Sequence, residues 1–239
     1  RDKYLIGNAL DWLAYAAGWK STGIEDPDKR MESEEKALKY ANETKDQFSS
    51  LSFTSPRGGS YWVGGPNADY YSLVGYWETD LKKKRDLLEK AIIEGTHEVK
   101  LAESTGYPDI IMYIHHTVSR APLFLAQIET NLEGKKKLLE KALEHTKKCL
   151  KLADQLEPFA YWDLGVGWNR LADIRAELSN VEKDPETRKN ILEEAVSNRE
   201  HGLQLCTKDC IYWEKIGELS PFSNLGWFQH TYGEMLNRL

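Results

Sequence analysis

Histidine and cysteine side chains are the first candidates for chemistry, because imidazole and thiolate groups bind metal ions. His115 and His116 are adjacent, and Cys206 and Cys210 lie four residues apart with His201 upstream. A structural zinc site needs four such ligands at close spacing, and neighbouring residues of a helix point about 100° apart. We therefore predict no metal site and no cofactor. We interpret the two cysteines as a buried or partly buried thiol pair.

Motifs of common active sites are missing from the sequence. The stretch RGGSYWVGGP at 57–66 lacks the Gly-Lys-Ser/Thr ending of a phosphate-binding loop, and no Gly-x-Ser-x-Gly, His-Glu-x-x-His or dinucleotide-binding motif occurs. Carboxylate pairs such as Glu193-Glu194 fall on charged helix faces, where solvated acids lack the surroundings of a catalyst. We predict that this chain is not an enzyme. An alternative, an all-helical enzyme, would use acids such as Asp163 or Glu177 in a groove.

The composition is typical of a folded, soluble protein. The chain has 239 residues, 41% of them apolar and 29% charged, and a net charge of −6. The negative charge disfavours nucleic acid and anionic membranes as partners, and no apolar run approaches the ~20 residues of a membrane span. Three cysteines fit reduced thiols and a cytoplasmic location. The chain starts without methionine and ends inside a predicted helix, so we expect a fragment of a longer protein.

Repeated segments are the elements that would position any site. Residues 78–103 align without a gap on residues 129–154. Weaker copies lie before and after them, and all four copies share one anchor alanine at intervals of 54, 51 and 53 residues: Ala37, Ala91, Ala142 and Ala195. Apolar residues in these segments recur at spacings of three and four, as on one buried face of a helix.

A second segment, rich in aromatic residues, precedes each anchor alanine. It contains a pair of an aliphatic and a small residue: Leu13-Ala14, Val74-Gly75, Leu125-Ala126 and Leu171-Ala172. The small residue and the anchor alanine are 23, 16, 16 and 23 residues apart. The difference of seven residues predicts longer joints or longer helices in the first and fourth copies. Asp26 and Asp184, each followed by proline, predict helix starts.

These patterns predict an all-α fold. We expect a right-handed superhelical stack of about four antiparallel helix pairs plus a final helix, because repeated helical hairpins bury their apolar faces on one another. One domain would span residues 1–239, with the stretch 52–65 as a long loop. The predicted repeats are about 1–52, 66–105, 108–156 and 158–206, and the final helix is 220–239.

The repeats resemble the tetratricopeptide-repeat (TPR) superfamily. The resemblance depends on a large residue before the aliphatic-small pair of the first helix, as at Trp168 and Leu171-Ala172, and on the alanine early in the second helix, as at Ala91. The repeat of 51–54 residues is longer than the ~34 residues of that family. We therefore call the fold a TPR-like α-solenoid.

The resemblance implies a non-catalytic binding module whose first helices line a concave groove. Its ligand would be a protein, a peptide or a small molecule, and the chain would be the sensor or interaction part of a larger signalling ATPase or regulator. We expect Arg120→Ala and Asn169→Ala to abolish ligand capture without loss of stability. The alternative is a self-associating scaffold with Tyr61 and Trp62 at the contact. The implied ligand-binding residues are Asn8, Asp11, Tyr15, Asp69, Ser72, Tyr76, Arg120, Gln127, Asn169 and Asp173.

Overall fold

The described part of the chain is helical. The computed structural model describes residues 26–49, 67–156 and 161–216, with a few single positions before them. No strand occurs within these ranges, so the predicted all-α fold class is confirmed there. The predicted loop 52–65 and final helix 220–239 lie outside the described residues, as do the side chains of Asp163 and Cys210. The helices are α1 (Pro27–Ser49), α2 (Asn67–Trp77), α3 (Leu81–Thr105), α4 (Pro108–Val118), α5 (Arg120–Ile128), α6 (Leu132–Gln155), α7 (Tyr161–Val181) and α8 (Pro185–Ile216).

The second helix of each predicted pair begins at the same position of the repeat. The side chain before each of these helices accepts hydrogen bonds from backbone N–H groups of the first turn, at 2.8 to 3.2 Å. These bonds satisfy donors that a helix start leaves without an intrahelical partner. The predicted helix starts at Asp26 and Asp184 are therefore confirmed. The four capping residues are Asp26, Asp80, Asn131 and Asp184, spaced like the anchor alanines.

The anchor alanines lie in the core, as the helical periodicity predicts. All four are at most 1% exposed, and the small residues Ala126 and Ala172 are fully buried as well. A methyl side chain at these positions lets the backbone of a neighbouring helix come close. The alanines therefore fix where the helices pack, and charged residues occupy the outer face of the same helices.

Helix α7 accounts for the longer fourth copy. Helix α2 ends two residues after Gly75 and α5 ends two residues after Ala126, whereas α7 continues nine residues beyond Ala172, to Val181. The seven additional residues correspond to about two helical turns. In the fourth copy they lengthen a helix. The prediction of a longer helix, as opposed to a longer joint, is therefore confirmed for this copy. The corresponding part of the first copy lies mostly outside the described residues.

The chain divides into two compact units, Arg1–Ile128 and Glu129–Leu239. The division falls between the two helices of the third predicted repeat. In the first unit, α1 packs on α2, α2 on α3, and α3 on both α4 and α5. Buried aliphatic residues of α3 and α4 form part of its core with Ala68 of α2. The prediction of a single domain stays a prediction.

Helices α4 and α5 are separated only at Ser119, whose φ of −68° and ψ of −20° are close to helical. Three residues later Pro122 is buried in α5. Proline has no backbone N–H, so it cannot bond to the carbonyl of Val118 four residues earlier. The missing bond explains the interruption, and it leaves Arg120 at the start of α5.

The second unit contains α6, α7 and α8, with α7 in contact with both of the others. Glycines allow α7 and α8 to pack at very short distance: a Cβ atom on Gly165 would lie 2.5 Å from Sγ of Cys206, and one on Gly202 would lie 2.8 Å from the carbonyl oxygen of Gly165. On the other side of α7, a Cβ atom on Gly167 would lie 2.8 Å from Leu150. No described helix is both long and apolar enough to cross a membrane.

Candidate ligand-binding cleft

The structure describes seven of the ten predicted ligand-binding residues; Asn8, Asp11 and Tyr15 lie outside the described residues. Tyr76 and Gln127 are exposed, as a groove residue would be. Ser72 is fully buried, and its hydroxyl donates to the carbonyl oxygen of Ala68 in its own helix, at 2.6 Å. The expectation of an open face is therefore wrong at Ser72. The other four belong to two buried polar networks, one in each unit.

The network of the first unit joins three helices. Arg120 of α5 forms an ion pair with Asp69 of α2 through Nη1 and Oδ1. Nη2 of Arg120 lies 3.4 Å from Nε2 of His116 in α4, where a neutral imidazole accepts a hydrogen bond. His115 is buried as well, 3.8 Å from the carboxylate of Glu103. The side chains of His115 and His116 thus belong to the packing between helices of the first unit.

The network of the second unit is centred on Arg199 of α8, whose side chain is fully buried. Its Nη1 donates to Oδ1 of Asn169 at 3.1 Å, and its Nη2 forms an ion pair with Asp173, one turn further along α7. Nδ2 of Asn169 donates in turn to the carbonyl oxygen of Gly165 at 2.8 Å. Asn169 is 1% exposed, so it too does not face an open groove.

Burial raises the pKa of the Asp173 carboxyl above its ordinary value, and the guanidinium groups of Arg199 and Arg170 oppose this rise. The carboxylate is thus less stable in its charged form than a solvated one, and Arg199 is what keeps the charge tolerable. A buried charge without its partner costs several kilocalories per mole. Asn169 and Asp173 therefore stabilise the packing of α7 on α8. The structure predicts that Asn169→Ala lowers stability, against the expectation from the sequence that it would not.

Arg199 is the residue that the sequence analysis missed. It occupies the repeat position four residues after the anchor alanine, where the other copies have Ala41, Gly95 and Thr146. A long charged residue at a position that is otherwise small marks a change of packing in the fourth copy. This signal was present in the alignment of the repeats. Its partners on α7 could not be identified from it, because they lie 26 and 30 residues away in the chain.

A cleft of about 440 Å³ lies in the second unit, beside this network. Its volume falls within the range of small-molecule sites, about 300 to 1,000 Å³. Leu150 of α6 and Trp168 and Leu171 of α7 form its apolar part. His201 meets the Trp168 ring edge-on, at 4.9 Å between centroids, and so holds the indole in place. The polar lining residues are Lys147, Arg175, Glu194, Ser197 and Asn198.

The charges of the cleft are unevenly paired. Nε of Arg175 donates to Oε2 of Glu194 at 2.9 Å, which links α7 to α8. Among the residues that the structure describes, no carboxylate pairs with Lys147. The Arg175–Glu194 pair is neutral as a whole, so Lys147 gives the lining one net positive charge. An apolar floor with a positive rim attracts a ligand with an apolar part and an acceptor or anionic group.

Asn198 contributes an amide to the wall of the cleft. The residue is 7% exposed, and its Nδ2 finds no hydrogen-bond acceptor among the described residues. Buried polar groups in folded proteins are almost always bonded, and an unmade bond at such a group costs about 1 to 3 kcal/mol. Because Nδ2 itself is buried, the amide can offer this bond to a molecule in the cleft only after it turns.

Metal chemistry has no support in the described residues. No group of three or more His, Cys, Asp or Glu side chains among them could hold a metal ion. Cys149 of α6 and Cys206 of α8 are buried and are not joined by a disulfide. In comparisons with known proteins, no protein-family model and no curated protein sequence matches the chain.

Proposed function

We propose that the chain is a non-catalytic binding module that holds an apolar group of a protein, peptide or small molecule in the cleft of its second unit. The observation that carries this proposal is the buried Asn198 amide, which has no acceptor at the wall of an open, largely apolar cleft. Nδ2 itself is buried, so the amide has to turn towards the cleft before a ligand acceptor can bond to it, and that bond recovers energy that the empty protein lacks. Leu150, Leu171 and the Trp168 ring supply the apolar surface.

The helix arrangement of the proposal is an α-solenoid of antiparallel pairs, a right-handed TPR-like stack. It is supported by the register of contacts between consecutive helices. Gly165, early in α7, contacts Cys206 of α8, whereas Arg175, later in α7, contacts Glu194, an earlier residue of α8. From Ala68 to Gly75 along α2, the partners on α3 fall from Glu98 to Leu88. Contacts that run in opposite directions along two helices are those of an antiparallel helical hairpin.

The context of the proposal comes from the resemblance to TPR-like arrays. The chain would be the sensor or interaction part of a larger signalling ATPase or regulator in the cytoplasm. Its cleft lies where three helices meet, so a bound ligand stabilises one arrangement of α6, α7 and α8 over others. A ligand that binds one arrangement more tightly shifts the population towards it, and this difference is what a neighbouring domain would sense.

The test uses the neutral fluorescent probe N-phenyl-1-naphthylamine and a variant that fills the cleft. Ser197 lines the cleft but is exposed, so Ser197→Trp puts an indole into the cleft without a change in the core. We expect saturable binding by the native chain and at least about tenfold weaker binding by Ser197→Trp. Thr207→Trp, at an exposed position of the same helix that does not line the cleft, is the matched control.

Equal binding by Ser197→Trp and the native chain, with the same helical signal in both, would show that the probe binds elsewhere and would overturn the proposal. Light scattering of the native chain tests the alternative of a self-associating scaffold. A dimer or larger assembly that Ser197→Trp dissociates would assign the cleft to a second copy of the chain.

A further inference from the structure

The charged residues of the cleft bear on which ligand it selects, a question that rests on the proposed function. Arg175 of α7 and Glu194 of α8 both line the cleft and form an ion pair there. The Arg175 side chain is 25% exposed and the Glu194 side chain is 61% exposed. Arg175 is therefore the fixed member of the pair, while Glu194 is held at the surface and can turn into solvent at little cost.

We infer that Glu194 is a specificity-determining residue: it occupies the guanidinium that the anionic group of a ligand would otherwise bind. In the native chain Lys147 remains as the available cation of the cleft lining. A ligand with an apolar part and one anionic group meets a single positive charge, together with the Asn198 amide. An anion that approaches Arg175 meets a guanidinium whose charge the Glu194 carboxylate already neutralises. The native cleft thus admits neutral apolar ligands and weakly prefers singly charged anions over them.

The geometry allows the Glu194 charge to be removed without disturbing the cleft. A salt bridge with one largely exposed partner contributes little to stability, because water solvates the exposed group and weakens its attraction to the other charge. A guanidinium, in contrast, keeps donors for a second planar acceptor after one of them is used. Replacement of Glu194 by a neutral residue of the same shape therefore leaves the cleft and its floor in place. Only the number of available positive charges changes, from one to two.

The experiment compares two probes of nearly the same shape and different charge in the full chain. These are neutral N-phenyl-1-naphthylamine and its sulfonate analogue 8-anilinonaphthalene-1-sulfonate. We expect Glu194→Gln to bind the sulfonate about fivefold more tightly than the native chain does, as one additional unit charge gives in water-exposed surroundings. The affinity for the neutral probe should change much less, because that probe has no anionic group for Arg175 to attract, and the gain for the sulfonate should decrease with added salt.

Glu193→Gln is the matched control. Glu193 is the preceding residue of α8, it is similarly exposed, and it lies 3.8 Å from Lys189 on its own helix without lining the cleft. We expect it to leave the affinity for both probes unchanged. In the double variant Arg175→Gln/Glu194→Gln the gain for the sulfonate should disappear, because the available guanidinium is gone.

The outcomes separate the two proposals. If the neutral probe binds the native chain and Ser197→Trp blocks it, but Glu194→Gln brings no gain for the sulfonate, the charge selection by Glu194 is refuted and the binding cleft stands. An equal gain for both probes also refutes it, since the substitution would then have opened the cleft. If Ser197→Trp does not weaken binding of the neutral probe, both the binding cleft and the charge selection by Glu194 are refuted.

Discussion

The buried ion pair of Arg199 gives the sharpest test of how the second unit is held together. Arg199→Met replaces the apolar stem of the side chain with one of similar length but removes the guanidinium. Asp173 then loses its charge partner, and Oδ1 of Asn169 loses its donor. Removal of one member of a buried pair costs roughly 3 to 5 kcal/mol, because the other charge stays buried.

The structure places this substitution at the lower end of that range. The Asp173 side chain keeps 28% of its exposure, so water can reach it in part. Arg170 also lowers the energy of its charged form. We therefore expect a loss of about 3 kcal/mol, which is a large share of the 5 to 15 kcal/mol that stabilise a typical domain.

The assay is urea unfolding followed by the helical circular dichroism signal. With a slope of about 2 kcal/mol per molar urea, a loss of this size moves the midpoint by about 1.5 M. Because the chain contains two compact units, the shift should affect the transition of the second unit. Arg188→Met, an exposed arginine of the same helix, is the control and should stay within about 0.5 kcal/mol of the native chain.

Two further measurements can refute the explanation. The double variant Arg199→Met/Asp173→Asn has no buried charge left, so it should recover most of the loss. The pKa of Asp173 is raised by burial and should rise further without Arg199, so the folded variant binds a proton more tightly than the unfolded chain. The loss should therefore be small near the ordinary aspartate pKa of 3.8 and grow once the pH exceeds the raised pKa that Asp173 has in the native chain. A midpoint equal to that of the native chain, or no recovery in the double variant, would show that the ion pair does not stabilise the unit.

Three other changes test the packing and the caps. Gly165→Ala places a methyl group against Sγ of Cys206 and should cost about 1 to 3 kcal/mol or more in urea unfolding, whereas Gly134→Ala, with its nearest contact at 3.4 Å, should be nearly neutral. Asn169→Ala should lower the melting temperature, and an unchanged value would contradict its role beside Arg199. Backbone N–H bonds lower the pKa of Asp80, so its stabilising effect is present above pH 3.8 and lost as the pH falls through the lowered pKa. The melting temperatures of Asp80→Ala and the native chain should accordingly differ at pH 7 and converge in acid.

The repeat period, the helix starts and the buried alanines could all be predicted from the sequence. They depend on local rules, since an Asp or Asn side chain caps the helix that follows it and an apolar stripe faces the core whatever it meets. The same rules could not place Arg199 or Asn198. Arg199 lies on the apolar face of its helix, four residues after Ala195, and Asn198 looks like part of the polar outer face. Only the neighbouring helix determines what either side chain contacts. The predicted groove residues Ser72 and Asn169 fail for the same reason, because their burial depends on partners that periodicity does not specify.

The cleft follows from the longer first helix of the fourth copy, a feature that the second and third copies lack. Their first helices end two residues after the small residue, so they have no turn at the position of Arg175 and Glu177. The seven additional residues of α7 supply both. Glu177 forms an ion pair at 2.9 Å with Lys135 of α6, which fixes the added turns, and Arg175 reaches Glu194 of α8 at 2.9 Å. The insertion thus brings a charged wall to the three-helix junction, and this explains why the candidate site belongs to the fourth copy.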